Sequence, residues 1–220
     1  MKNIAQNIED LKEKLPQDVT LVAVSKTKPN EAILEAYQAG QRVFGENKVQ
    51  DMCDKAEVLP KDIQWHMIGH LQRNKIKYMA SFVSLIHGVD SVKTVKEIQK
   101  QAKKHNRIIE ILLQVKIASE ESKFGIPIDT LDMFFKELSV IDTEHVRVRG
   151  FMGMATNTEN EEQIQSEFSI LNKIYREYHS NNPEINILSM GMSGDYPIAI
   201  KSGSNMIRVG SAIFGKRNYN

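Results

Sequence analysis

Short apolar segments alternate with amphipathic segments along the chain. The apolar segments are rich in valine, isoleucine and aromatic residues, which is typical of β-strands. We assign eight candidate strands on this basis: TLVAVS, RVFGEN, IQWHMIGH, VSLIHGVD, RIIEILLQVKI, HVRVRGFMGMA, INILSMGM and NMIRVGSAIFG. Between them, apolar residues recur at helical spacing and predict helices with polar outer faces. The clearest of these helical segments are PNEAILEAYQAG, SVKTVKEIQKQAKKH, IDTLDMFFKELSV and EEQIQSEFSILNKIYREYH.

Strands that alternate with helices predict a parallel sheet with helical crossovers. A further helix leads the chain and ends at Pro16, because one helical stripe holds Ile4, Ile8, Leu11 and Leu15. Eight strand–helix units in 220 residues predict an α/β fold, a single (β/α)8 TIM barrel domain over residues 1–220. A doubly wound open sheet is the alternative fold. It is disfavoured because no GxGxxG sequence follows the first strand.

The overall charge of the chain is close to neutral. Lysine and arginine number 29 and aspartate and glutamate 28, which argues against a surface for nucleic acid. No apolar run approaches the roughly 20 residues that span a bilayer, and the start MKNIAQNIED carries charges where a signal peptide needs an apolar core. The single Cys53 cannot form an internal disulfide. We therefore expect a cytoplasmic protein that binds neither nucleic acid nor membrane.

A lysine ends the first candidate strand, in the segment LVAVSKTKP. Side chains alternate along a strand, so Val22, Val24 and Lys26 share one face, and Lys26 is expected at the barrel mouth. Functional groups of TIM barrels collect at this end of the strands. Desolvation there disfavours the ammonium form and leaves an amine that can attack an aldehyde. On this segment alone, a lysine that extends to solvent is the stronger interpretation.

Two glycine-containing loops near the end of the sequence supply a second signal. The segment GMSGD follows the seventh candidate strand, and residues 193–195 can begin a helix with free backbone N–H groups. In RVGSA, Gly210 permits close backbone approach and Ser211 offers another donor. Loops after strands 7 and 8 commonly bind phosphate in this fold. Ordinary turns also use glycine, but two donor loops opposite Lys26 favour a ligand with a phosphate and an aldehyde, the layout of pyridoxal 5′-phosphate (PLP).

Five segments together resemble the signature blocks of the YggS-like pyridoxal phosphate homeostasis proteins. They are VAVSKTKP, FGENKVQ, WHMIGHLQRNK, LSMGMSGDYPIAI and IRVGSAIFG. The resemblance implies a barrel similar to the N-terminal domain of alanine racemase, with PLP held as a Schiff base on Lys26. It also implies a role in intracellular PLP (vitamin B6) and amino-acid homeostasis without established catalytic turnover. We expect a monomer, with PLP-dependent apo-enzymes as candidate partners.

The resemblance also implies roles for individual residues around the cofactor. Ser193 and Gly194 of MSGD, with Gly210 and Ser211 of RVGS, correspond to phosphate contacts. Arg208 of IRVG corresponds to the arginine that faces the pyridine nitrogen in racemase-like barrels. A cation there opposes protonation of the ring nitrogen and weakens PLP as an electron sink.

Two further residues correspond to neighbours of the PLP ring, and two others depart from the family pattern. Asn47 of FGEN and Met152 of FMGMA are the ring neighbours; a strand-end cap and a core methionine are the alternative interpretations. Lys48 stands where the family has an aromatic residue, and Lys116 stands where it has asparagine. Lys116 is thus a second candidate amine. We favour Lys26 because its whole flanking segment matches.

Two alternative functions remain open at the level of sequence. The first is a PLP-dependent amino-acid racemase, which needs an acid–base group on each face of the substrate. Alanine racemase takes the second group, a tyrosine, from an additional domain of a partner subunit. The sequence ends at Asn220, soon after the eighth candidate strand, so we expect no such domain, and we expect Tyr196 to pack on the surface. The second is an unrelated barrel enzyme that acts on a phosphorylated metabolite through Lys26.

Three histidines fall near predicted strand ends. His66 and His70 share a strand face at even spacing, and His87 ends the fourth candidate strand. A metal site would need such a group, but no carboxylate or cysteine companions accompany it. The favoured interpretation is a set of hydrogen-bonded residues at a polar end of the barrel, and we expect no metal.

Overall fold

The chain forms a closed barrel in which every strand is parallel to its neighbours. The computed structural model describes residues 3–120 and 124–215, and within them eight strands pair in chain order, with the last strand closing on the first. These strands are β1 Thr20–Val24, β2 Val43–Glu46, β3 Gln64–Met67, β4 Leu85–Val89, β5 Ile109–Gln114, β6 Val146–Met152, β7 Ile187–Ser189 and β8 Met206–Val209. The predicted TIM barrel is confirmed, and each candidate segment contains one strand.

Helices connect the strands and cover the outside of the barrel. They are α1 Ile4–Lys14, α2 Asn30–Gln38, α3 Val49–Val58, α4 Ile76–Met79, α5 Val92–Lys104, α6 Leu131–Ser139, α7 Glu161–Asn181, α8 Tyr196–Lys201 and α9 Ser211–Phe214. Side chains cap the starts of the leading helix α1 and of α7, where Asn3 and Asn160 accept backbone hydrogen bonds from Gln6 and Gln163. In the described parts of the chain, none of the helices combines the length and the apolar character needed to cross a membrane.

The strands bury both of their faces, in two separate clusters. The larger cluster lies between the barrel and its helices and includes the fully buried Phe44, Phe151 and Phe168. A smaller apolar cluster consists of Val22, Leu85, Leu112, Met152 and Met206. Buried polar side chains follow this cluster towards the carboxyl ends of the strands. Each lies two residues after an apolar residue of the cluster or packed against it; they are His87, Gln114, Ser189 and Arg208. The barrel interior is therefore apolar towards the amino ends of the strands and polar towards their carboxyl ends.

The observed strands are shorter than the predicted segments. The eighth segment was predicted to continue through residues 211–214, and this part is wrong, because β8 ends before Gly210 and those residues form α9. Helices as short as α4 and α9 contain too few turns for a helical period to be recognised in the sequence. The helix predicted to begin near residues 193–195 is present as α8, with Asp195 as its N-cap residue.

Candidate functional site

A cavity of about 290 Å³ opens at the carboxyl ends of the strands. Such a place is where parallel α/β barrels carry their functional groups. Seven of the eight residues proposed from the sequence as cofactor contacts line this cavity, namely Lys26, Asn47, Ser193, Gly194, Arg208, Gly210 and Ser211. The cavity therefore brings together side chains from β1, β2, β7 and β8 and their following loops.

Lys26 enters the cavity wall because of the alternation of side chains in β1. Val22 lies in the inner apolar cluster, and Val24 and Lys26 line the cavity on the same face. Thr27 has a φ of 63°, in the left-handed region that β-branched residues rarely adopt. The backbone N–H of Lys28 donates to the carbonyl oxygen of Ser25 at 3.1 Å and closes the turn. The turn thus keeps the half-buried Lys26 at the end of its strand.

A buried ion pair supports this turn from the side opposite the cavity. The Ser25 hydroxyl donates to Oε1 of Glu46 at 2.6 Å, and Nζ of Lys55 donates to the same oxygen at 2.7 Å. Lys55 Nζ also donates to the carbonyl oxygen of Ser25 at 2.9 Å. Burial raises the pKa of Glu46, and the hydrogen bonds from Lys55 and Ser25 oppose that rise. This network joins the ends of β1 and β2 to α3 and fixes the residue before Lys26.

Lys28 joins the β1 loop to the other side of the cavity. Its Nζ donates to the carbonyl oxygens of Phe214 at 2.9 Å and Gly215 at 3.3 Å, at the end of α9. A cation at this end of a helix also opposes the partial negative charge of its carbonyl groups. The loop that carries Lys26 is therefore tied to the loop that begins at Gly210.

The loops after β7 and β8 present backbone donors to the cavity. They are linked to each other, because the Gly210 N–H donates to Oγ of Ser193 at 3.2 Å. The first N–H groups of a helix have no acceptor within the helix, and Ser211 is the first residue of α9. A Cβ atom built on Gly194 would meet nothing within 4 Å. Open space thus lies beside the backbone of Gly194, on a side from which an anion can approach this loop.

The charge of the cavity wall also suits an anion. Lys26, Lys28 and Arg208 line it, and the described lining residues include no carboxylate. Arg208 is 4% exposed, and its hydrogen-bond acceptors are neutral groups of Ser189 and Gly153. Burial lowers the pKa of Arg208 to about 10, so the guanidinium remains charged at neutral pH. The nearby carboxylate of Asp195 opposes this fall in the pKa of Arg208 and offsets part of its charge.

Two of the three predicted histidines contact each other inside the barrel. His66 Nδ1 lies 3.0 Å from His87 Nε2, and His87 Nδ1 lies 3.2 Å from Oγ of Ser189. Burial lowers the pKa of His66 to about 3 and that of His87 well below its ordinary value, so both rings are neutral. His70 is not part of this pair. It is exposed, and its ring stacks on Phe124 with 4.2 Å between the centroids.

Met152 is the predicted site residue that the structure does not place in the cavity wall. It lies in the inner apolar cluster and is 1% exposed, whereas Met154 lines the cavity. Both face inwards because they are two residues apart. Sequence reasoning also missed Lys28 and Ile68, which line the cavity. Strand alternation does not predict Lys28, because β1 ends at Val24 and the turn at Thr27 separates Lys28 from Lys26.

Lys116, Lys48 and Tyr196 do not line the cavity. Lys116 is half-buried just beyond β5, and Lys48 is exposed immediately before α3. Tyr196 is half-buried at the start of α8 and packs against the outer apolar cluster, away from the cavity. Of the two candidate amines, Lys26 is therefore the one beside the donor loops.

Comparison with known proteins identifies similar sequences and structures over nearly the whole chain. The sequence model of the family "Alanine racemase, N-terminal domain" matches residues 1–218. The pyridoxal phosphate homeostasis protein of Vibrio alginolyticus is 38% identical, and the match covers 100% of both chains. PipY of Synechococcus elongatus PCC7942, solved with PLP bound, is 35% identical with a TM-score of 0.87, over 97% of this chain and 100% of that chain.

Alanine racemase itself shares the fold at lower sequence identity. The enzyme of Clostridium difficile 630 is 14% identical, with a TM-score of 0.80. The match covers 99% of this chain and 57% of the racemase chain. The barrel described above thus corresponds in fold to one part of that longer chain.

The buried ion pair behind Lys26 gives a stability prediction. Lys55→Met leaves Glu46 buried without its cationic partner, and we expect the free energy of unfolding to fall by about 3–5 kcal/mol at neutral pH. Burial already raises the pKa of Glu46 above 4.5 in the folded protein, and loss of Lys55 raises it further. The folded variant then binds a proton that the unfolded chain releases, so its stability falls as pH rises above 4.5.

Urea denaturation of the wild type and variant across this pH range measures the effect. The double variant Glu46→Gln/Lys55→Met is the matched control, because it removes the unpaired charge and should lose the added pH dependence. If Lys55→Met kept the wild-type stability and pH profile, the ion pair would not support the turn as described.

Proposed function

The chain belongs to the family of pyridoxal phosphate homeostasis proteins, and on this basis we propose that it binds PLP through Lys26 and the loops after β7 and β8. The observation that carries the proposal is that Lys26, Ser193, Gly194, Gly210 and Ser211 line one cavity. An amine and a set of phosphate donors at a common site match the two reactive ends of PLP. We infer a role in intracellular PLP and amino-acid homeostasis.

Each group in the wall has a task that its environment supports. Lys26 supplies the amine for covalent attachment, while backbone N–H groups and the hydroxyls of Ser193 and Ser211 bind the phosphate. Asn47 and Met154 lie in the same wall and flank the space for the ring. Met152 lies one step deeper, and its predicted contact with the ring stays a prediction. When bound, PLP supplies an aldehyde and an electron-withdrawing ring.

Arg208 supports a binding role over amino-acid turnover. Its guanidinium is charged and its hydrogen-bond partners are neutral, so it opposes protonation of a ring nitrogen placed beside it. Racemisation also needs a second acid–base group opposite Lys26. Tyr196 packs against the outer cluster, and Lys28 donates to backbone carbonyls at the end of α9. We infer that the protein holds PLP without turning over amino acids.

We also infer that the protein acts as a monomer and passes PLP to PLP-dependent apo-enzymes. Lys26 and the donor loops after β7 and β8 all belong to this chain, so the proposed site needs no residue of a second copy. Transfer is supported by the reversibility of the bond that an amine forms with an aldehyde. A cytoplasmic location is consistent with the single Cys53, which has no disulfide.

Borohydride reduction tests the attachment site directly. We expect reduction of the PLP-loaded protein to fix one pyridoxyl-phosphate group on Lys26, because Lys26 lines the cavity and Lys116 does not, while Lys28, which also lines it, donates to carbonyl groups at the end of α9. Intact mass and peptide mapping give the number and position of the adducts. Lys116→Ala is the matched control and should keep the adduct, whereas Lys26→Ala should lose it. Recovery of the adduct mainly on Lys116 would overturn the assignment.

A pair of serine substitutions tests the phosphate site. Ser193→Ala combined with Ser211→Ala should weaken PLP binding, because each charge-assisted hydrogen bond contributes about 1.5–3 kcal/mol. Titration followed by visible absorbance measures the dissociation constant. Ser169→Ala, an exposed position on α7, is the control for general effects. Equal PLP affinity in the double variant and wild type would place the phosphate elsewhere.

A further inference from the structure

A chain of buried hydrogen bonds leads from the cavity wall into the barrel interior. Arg208 Nη1 lies 2.6 Å from Oγ of Ser189, which lies 3.2 Å from His87 Nδ1. His87 Nε2 in turn lies 3.0 Å from His66 Nδ1. The four residues come from β8, β7, β4 and β3, and none is more than 5% exposed. The binding of PLP as described above uses Arg208 but leaves the other three without a role.

The direction of this chain follows from hydrogen-bonding chemistry. A guanidinium only donates, so Ser189 Oγ accepts from Arg208 and its own hydrogen is available for His87 Nδ1. A neutral imidazole carries a hydrogen on only one of its two nitrogens. His87 therefore carries its hydrogen on Nε2 and donates to His66 Nδ1, which places the hydrogen of His66 on Nε2 as well.

The opposite direction is disfavoured by the same contacts. If His87 Nδ1 donated to Ser189 Oγ, the serine oxygen would accept two hydrogen bonds and its hydroxyl hydrogen would lose its described acceptor. That arrangement would also direct an N–H dipole towards the guanidinium charge of Arg208. Burial lowers the pKa of both histidines, so neither ring gains a second proton near neutral pH.

We propose that His66, His87 and Ser189 are positioning residues that hold the Arg208 guanidinium in the cavity wall through a neutral hydrogen-bond chain of fixed direction. Arg208 uses three N–H groups on Ser189 O, Ser189 Oγ and Gly153 O. A guanidinium has five such groups, so these three bonds fix its plane and leave two N–H groups outside the described contacts.

The neutrality of the chain explains why these residue types suit the position. A carboxylate beside Arg208 would fix the guanidinium equally well but would offset its charge. Serine and two neutral histidines fix it without a direct ion pair, and the carboxylate of Asp195 acts on the guanidinium through its charge, with no described hydrogen bond to it. The effect of this charge on PLP rests on the proposed function, whereas the direction of the chain does not.

The direction can be tested in the protein without PLP. Long-range ¹H–¹⁵N NMR of histidine side chains distinguishes the two neutral tautomers and the imidazolium form. We expect His66 and His87 to be neutral and protonated on Nε2 between about pH 5 and pH 8. Protonation of His87 on Nδ1, or an imidazolium at either position in this range, would overturn the proposal. His66→Gln and His87→Gln identify the two signals.

The positioning role can be tested with two variants of matched shape. Ser189→Thr and Ser189→Val add the same branch to a fully buried position, but only threonine keeps the hydroxyl. We expect Ser189→Thr to retain the visible absorption maximum of the PLP-loaded wild type. Ser189→Val should shift this maximum and release PLP about fivefold faster or more, while borohydride reduction still places the adduct on Lys26.

Identical spectra and release rates for the two Ser189 variants would contradict the positioning role. If the wild type itself failed to bind PLP, the proposed function would fail, but the tautomers measured without PLP would still decide the direction of the chain. The two proposals therefore fail by different results.

Discussion

The alternation of side chains along β1 is the constraint on which the site depends. Val22 packs inside the barrel, and Val24 and Lys26 follow on the same face to line the cavity. Ser25 points the other way, where Glu46 and Lys55 hold it. A slip of one residue would exchange the two faces and bury Lys26 among the helices. Position in the strand, rather than any unusual property of lysine, makes this amine available to a ligand.

Two buried cations near the cavity have different hydrogen-bond partners. Lys55 lies outside the barrel and pairs with the carboxylate of Glu46 at 2.7 Å. Arg208 lies inside the barrel, and its described hydrogen-bond acceptors are neutral. The first arrangement satisfies its charge within the protein and supports the turn. The second holds the guanidinium by neutral groups, and the carboxylate of Asp195 acts on it without a described hydrogen bond.

Much of the fold was predictable because it depends on local pattern. Short valine- and isoleucine-rich segments indicated the eight described strands, and alternation placed Lys26 at the barrel mouth, whereas Arg208 was predicted from the family resemblance. The pattern could not show where a strand stops, and the resemblance that named Met152 did not distinguish it from Met154, which lines the cavity. Contacts between segments that are distant in the sequence could not be predicted from local pattern either. His87 and Ser189 are 102 residues apart in the sequence and meet only because the barrel closes.

The most direct test of the account is a crystal structure of the protein soaked with PLP. We predict electron density that continues from Nζ of Lys26 into the pyridine ring, with the phosphate against the N–H groups of Gly194 and Ser211 and Arg208 beside the ring nitrogen. Density joined to another lysine, or a phosphate bound away from the loops after β7 and β8, would contradict the account.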